Sequence, residues 1–158
     1  MRPDDRRADR SGDPGSVVRV IARLLPGPSL MFAAGLIAKG YAEVGDGFAA
    51  GVIVALAVAL AYVALGAAGA EAALPALRHA PKAAVGGLLL ALASGFFPLL
   101  LGDPPVTHRP GPGEHVTTIG TLELFTPLLF DLGVFLLVIG VLTVLLHHLA
   151  RSREEAAR

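Results

Sequence analysis

The chain has 158 residues, of which 54% are hydrophobic and 16% are charged, and its formal net charge at pH 7 is zero. So few charges exclude an ordinary soluble domain, which carries roughly 25%, and the balanced charge gives no global field for nucleic acid or anionic substrates. The absence of cysteine excludes disulfides, thiolate metal sites and cysteine nucleophiles. Four long apolar runs predict an all-α integral membrane protein, a bundle of four transmembrane helices.

The first segment, residues 1–16, is charged, interrupted by Gly and Pro, and almost free of large apolar residues. Such a composition predicts a disordered tail. The first span is predicted at about 17–38, and its uncharged part is too short to cross a bilayer unless flanking basic side chains snorkel. Pro26 and Pro28 are expected to distort or begin the helix there.

The second span is predicted at 47–70 and carries a ladder of small residues. Gly47, Gly51, Ala55 and Ala59 fall every four residues and form one helix face with almost no side chain. In lipid such a face packs closely on a neighbouring helix. The alternative is that Ala and Gly are simply abundant in this chain.

The third span is predicted at 83–101, after a short connection (71–82) broken by two prolines. Gly87, Ala91 and Gly95 form a second small-residue ladder on it, for which the same packing is expected.

A Pro/Gly-rich loop, residues 102–120, is the longest connection in the chain. Its His108, Glu114 and His115 have a spacing that a metal could use. Because no recognised ligand pattern accompanies them, solvated polar side chains are the preferred interpretation and no metal or other cofactor is predicted. Phosphate loops, nucleophile elbows and zinc-protease motifs are also missing from the sequence, so no enzyme activity is predicted.

The fourth span, about 122–146, contains Asp131 well inside the apolar run, and Glu123 lies near its start. Insertion into a bilayer penalises a charged Asp by about 2.5–3.5 kcal/mol, so such acids usually mark an ion path or pair with another helix. The alternative for Asp131 is a structural hydrogen bond to backbone freed by Pro127. For Glu123, a solvated acid at the helix start is equally open.

Basic residues predict the orientation. Residues 1–23, the 71–82 connection and the C-terminal tail (147–158) together hold 11 of the 13 Lys and Arg, and only Lys39 and Arg109 lie on the other side. Both termini are therefore predicted to be cytoplasmic in a multi-pass protein of the cell membrane. His147 and His148, at the predicted end of the last helix, are expected to favour its dipole rather than shuttle protons.

Two stretches resemble a known family, residues 39–51 (KGYAEVGDGFAAG) and 126–134 (TPLLFDLGV). They are similar to the "GH-x-PGGGF-x-GG" turn and the "T-x-LLFD-x-GV" stretch of the B-type (MnhB/MrpB) subunits of Mrp-type multisubunit sodium/proton antiporters. The pattern of four spans with a long loop before the last also fits. The turn departs from the family pattern at Tyr41, Val44, Asp46 and Ala49–Ala50, while its Gly45 and Gly47 are kept.

The resemblance implies a membrane subunit of a monovalent cation (Na+)/proton antiporter that contributes to assembly and to the cation or proton path. Other antiporter subunits, Na+, H+ and membrane lipid are the implied partners, and nucleic acid is not. The residues expected at an ion path or subunit contact are Asp131, Glu123 and Lys39. Those expected to shape the turn and the packing are Gly45, Gly47, Phe48, Gly51, Pro127 and Gly133.

Lys39 is one of two basic residues on its side of the membrane, so a pair with Asp131 or Glu123 is one possibility that the sequence leaves open. The alternative to a part of an antiporter is a structural or assembly membrane protein without an ion path. A third candidate is a small-molecule exporter with four helices that works as a dimer. Such exporters tend to carry an acid in the first span, and the first span here has none, which argues against this candidate.

Overall fold

A computed structural model of the chain describes residues 14–39, 46–100, 102, 104, 118–119, 122–123 and 126–156. Within these residues, four helical stretches are long and apolar enough to cross a membrane: Gly15–Lys39, Asp46–Ala73, Pro75–Leu100 and Leu128–Arg153. The predicted all-α bundle of four membrane helices is thereby confirmed.

The first stretch is two helices, α1 (Pro14–Leu24) and α2 (Pro26–Lys39). Prolines break it as predicted: Leu25 still donates its N–H to the Ile21 carbonyl at 2.8 Å, but Pro26 has no N–H with which to continue the ladder. The prediction of disorder through residue 16 was wrong for its last three residues, which form the first turn of α1. Residues 1–13 lie outside the described part of the chain.

Helix α3 (Asp46–Ala73) is interrupted at Gly66, whose φ of 72° and ψ of 177° are not helical. That region of φ/ψ space is essentially restricted to glycine. The segment beyond it, residues 67–73, remains helical. The predicted connection 71–82 therefore begins inside a helix, and most of the rest forms a 3₁₀ helix (Pro75–His79) that leads into α4 (Ala80–Leu100).

Strands β1 (Thr118–Ile119) and β2 (Leu122–Glu123) pair in antiparallel fashion, with Thr118 opposite Glu123. The last helix, α5, follows as Thr126–Ala156. The predicted start of the fourth span at 122 was therefore wrong by four residues. A proline at 127 is compatible with a helix that begins there, because N–H groups in a first turn have no partner within the helix.

Helix α5 lies at the centre and packs along both α3 and α4, while α1 and α2 pack mainly on α3. One apolar cluster joins α2, α3 and the first half of α5 around Ala33, Ala50, Val54 and Phe135. A second joins the end of α3, the 3₁₀ helix and the second half of α5 around Val58, Ala61, Tyr62, Ala67 and Ala70. The outward faces expose large apolar residues, as a boundary with lipid or with other subunits requires.

Candidate functional site

Asp131 is the most deeply buried acidic residue that the structure describes, with 2% of its surface exposed. It lies in the second turn of α5, where Phe130 and Gly133 on either side of it pack towards α4. A carboxylate removed from water needs compensation by partners, or it takes up a proton. Its burial makes Asp131 the centre of the candidate site.

The N-terminus of α3 closes over Asp131 because residue 47 is glycine. A Cβ placed on Gly47 would lie 2.8 Å from both the Cα and the carbonyl carbon of Asp131, a distance that real Cβ atoms do not reach. One turn later, a Cβ on Gly51 would lie 2.8 Å from the Val138 Cβ and 3.2 Å from the Phe135 carbonyl oxygen. The first two steps of the α3 ladder thus allow backbone-to-backbone contact with α5 beside the buried acid.

Lys39 and Asp46 lie at the same end of the bundle as Asp131. The Lys39 ammonium is 4.0 Å from an Asp46 carboxylate oxygen, and the lysine side chain is 65% exposed. Exposed pairs at this distance contribute little, typically about 0–1 kcal/mol. The structure thus gives Lys39 a carboxylate partner in Asp46, which the sequence analysis did not propose.

The other predicted residues are distributed around this end. Glu123 lies in strand β2 and not at a helix start, so the helix-dipole interpretation of it was wrong. Pro127 is in the first turn of α5. Phe48 is 60% exposed, so most of its side chain lies outside the bundle. Gly45, His108, Glu114 and His115 lie outside the described residues.

Glycines also define the contact between α4 and α5. A Cβ on Gly133 would lie 2.6 Å from the Ala91 nitrogen, and one on Gly140 would lie 2.8 Å from the Ala80 carbonyl oxygen. From the other side, a Cβ on Gly87 would lie 2.6 Å from the Gly133 carbonyl oxygen. Asp131 is therefore held in a helix that touches its neighbours main chain to main chain on two sides.

A second polar cluster lies at the opposite end of the bundle, and the sequence reasoning missed it. The His147 Nδ1 atom of α5 is 2.8 Å from a Glu71 carboxylate oxygen of α3. The Tyr62 ring packs edge-on against the His147 ring, with 6.2 Å between the centroids. The centroid of the His148 ring is 5.8 Å from that of the His147 ring.

The interpretation of His147 as a residue at a helix end was wrong, because α5 continues to Ala156. The cluster depends on the interruption at Gly66. Tyr62 and Glu71 are nine residues apart, about two and a half turns, and would face opposite ways on a regular helix. The one available signal was a glycine between an aromatic and an acidic residue near a span end, which is too common to predict a contact.

Three-residue groups of His, Cys, Asp and Glu that could hold a metal do not occur among the residues that the structure describes. The buried acid and the His–Glu pair are instead separated along α5 by 16 residues, about 24 Å at 1.5 Å per residue. The helix between them is largely apolar, with Thr143 as its one buried polar side chain in that interval. The arrangement places one ionisable site near each end of the bundle.

Comparison with known proteins finds relatives of this chain. Residues 17–144 match the family model described as a domain related to the MnhB subunit of Na+/H+ antiporter. The B subunit of the Na(+)/H(+) antiporter of Alkalihalophilus pseudofirmus is 34% identical over 131 residues, which cover 82% of this chain and 89% of that protein. Its counterpart of the same name in Bacillus subtilis is 30% identical over 125 residues, covering 79% and 85%.

A further relative is the A/B subunit of a probable K(+)/H(+) antiporter of Rhizobium meliloti, 32% identical over 157 residues. The match covers 99% of this chain and 15% of that much longer protein.

Proposed function

The chain belongs to the family of MnhB-related subunits of Na+/H+ antiporters, and on that basis we propose how its residues serve cation/proton exchange. It is a multi-pass membrane subunit of a multisubunit Na+/H+ antiporter, with the other subunits as its partners. Our proposal is that Asp131 lies on, or directly beside, the route of the exchanged ions. The observation that carries it is a carboxylate that is 2% exposed inside a membrane helix bundle.

The geometry favours a shared role over transport by this chain alone. The described helices expose large apolar side chains, among them Leu89, Leu92 and Phe96 on one face of α4. Such a face suits lipid or the apolar surface of another subunit. The polar residues near the two ends are separated by an apolar stretch of α5, so a complete route needs groups that other subunits supply.

The cation we propose is Na+, exchanged against H+, because the two relatives of similar length are named as Na+/H+ antiporter subunits. The relative named for K+/H+ exchange is a longer protein whose name joins an A part to the B part. For the membrane, we propose the cell membrane, with both termini on the cytoplasmic side. The lopsided distribution of Lys and Arg supports that orientation.

A second candidate function is structural, and one observation favours it. The Asp131 main chain forms the contact with Gly47, so the residue belongs to the α3–α5 interface whatever its carboxylate does. In that case Asp131 would anchor the bundle or a neighbouring subunit, without an ion route. The two candidate functions predict different effects on ion exchange and complex assembly when Asp131 is replaced by a residue of the same shape without a charge.

Asp131→Asn in the whole complex separates them, because the amide keeps the shape and removes the charge. Na+-driven proton movement is measured in everted vesicles, with complex assembly followed by co-purification. Glu155→Gln is the matched control, since Glu155 is an exposed acid on the same helix. We expect exchange to fall at least tenfold with an assembled complex. Normal exchange would overturn the ion-route proposal, and a dissociated complex would favour the structural one.

A further inference from the structure

The His147–Glu71 pair lies at the end of the bundle that carries the C-terminus, far from Asp131. The 2.8 Å separation between His147 Nδ1 and the Glu71 carboxylate oxygen is a hydrogen bond. An ionised carboxylate can only accept, so the proton of this bond belongs to Nδ1. The neutral imidazole is thereby held as the Nδ1–H tautomer, and its basic lone pair is on Nε2.

The bundle does not enclose this pair completely. The His147 side chain is 25% exposed and that of Glu71 is 41% exposed, while the Tyr62 ring covers one edge of the imidazole. An imidazole is the side chain whose proton exchange falls closest to neutral pH. A histidine that is positioned by a carboxylate, partly exposed and packed on one side has what a proton-binding site needs.

Other titratable side chains lie on the elements at this end of the bundle. Helix α3 contributes Glu71, α5 contributes Arg151 and the neighbouring His148, and the start of α4 contributes Lys82. The 3₁₀ helix adds Arg78 and His79, and both residues lie at its C-terminal end. Because Glu71 is the acid in direct contact with His147, it sets how the imidazole is oriented and offsets the charge when the imidazole is protonated.

The pair also links α5 to the part of α3 that lies beyond its interruption at Gly66. Glu71 lies on residues 67–73, beyond the non-helical Gly66, whereas His147 lies within the continuous helix α5. The bond to the ionised Glu71 is already charge-assisted, and protonation of the imidazole gives its donor a positive charge as well, so that the hydrogen bond becomes an ion pair. Uptake of a proton therefore tightens the hold of α5 on the end of α3.

We propose that His147 is a proton-binding site at the C-terminal end of the bundle, with Nε2 as the accepting atom and Glu71 as its positioning residue. Nε2 takes a proton from a hydronium ion or a water-borne acid, which leaves as water or its conjugate base, and the Nδ1–H bond to Glu71 is kept. The site gives the chain a protonatable group other than Asp131. Its effect on exchange rests on the proposed function, whereas proton binding itself does not.

The direct test is ¹⁵N NMR of the full-length chain, labelled at its five histidines and reconstituted in lipid bilayers. His147→Gln assigns the resonances of His147 by their loss. We expect Nδ1 of His147 to carry the proton at alkaline pH, and Nε2 to gain one on acidification. In Glu71→Ala the neutral form should change to the Nε2–H tautomer. The matched control is His79→Gln, which should leave the His147 resonances unchanged.

A wild-type His147 in the Nε2–H form, or a tautomer that Glu71→Ala does not change, would overturn the proposal. The second measurement is the pH profile of exchange by the whole complex. His147→Gln is expected to shift that profile, while His79→Gln leaves it in place. If Asp131→Asn exchanges normally but the NMR result holds, the ion-route proposal fails and the proton site remains. If His147→Gln lowers exchange equally at every pH, the site has no part in proton handling.

Discussion

The main chain of Gly47 lies directly against that of Asp131, so that α3 and α5 touch where the buried carboxylate is located. Any side chain at residue 47 would push α3 away from this point. Gly47→Ala is expected to lower the free energy of unfolding by about 1–3 kcal/mol, as overpacking of a tight interior does. Chemical unfolding in mixed micelles measures the change.

Gly35→Ala is the control for that substitution, because a Cβ on Gly35 meets nothing within 4 Å. It should be neutral or stabilising by up to about 1 kcal/mol, since alanine favours a helix over glycine. Equal effects of the two substitutions would contradict the contact between α3 and Asp131.

The α4–α5 contact offers a comparison between two adjacent residues. A Cβ on Gly87 would lie 2.6 Å from the Gly133 carbonyl oxygen, whereas one on Gly86 has open space. Gly87→Ala is expected to destabilise the chain by about 1–3 kcal/mol and Gly86→Ala to leave it as stable or slightly more so. The same unfolding measurement applies to both. A destabilised Gly86→Ala together with a tolerated Gly87→Ala would mean that α4 presents a different face to α5.

Gly66 is the position at which backbone conformation, rather than packing, decides the outcome. Its φ of 72° and ψ of 177° cost a residue with a side chain on the order of 1–3 kcal/mol. Gly66→Ala should therefore favour a regular helix, in which Glu71 faces away from His147. Without that hydrogen bond, the neutral His147 should no longer be held as the Nδ1–H tautomer. The ¹⁵N spectrum of the variant tests this expectation, and an unchanged His147 signal would show that the pair does not depend on the interruption.

The orientation can be checked directly, because the chain contains no cysteine of its own. Ser152 and Lys39 are exposed at opposite ends of the bundle, and each can be replaced by cysteine. With both termini cytoplasmic, a membrane-impermeant maleimide should label Ser152→Cys in everted vesicles and Lys39→Cys in right-side-out cells. The reverse pattern would mean that the basic residues do not set the orientation of this chain.

Much of the fold could be predicted from the sequence because the physical causes are local. A helix must satisfy its own backbone in lipid and span about 30 Å, so long apolar runs identify the four spans. The same reasoning found Asp131, since an acid inside such a run is rare. It also found the small residues at Gly47, Gly51 and Gly87, which the structure places at helix contacts.

Other features were decided by tertiary structure alone. The pairing of Lys39 with Asp46 depends on how α2 and α3 meet, and the start of α5 at Thr126 depends on a strand pair that no periodicity signals. The His147–Glu71 pair requires a non-helical glycine and two helices in register. Hydropathy and residue spacing predict whether a side chain is stable in lipid, in water or in a helix contact. Which side chains come into contact is determined by how the helices pack, that is, by their relative rotation and register.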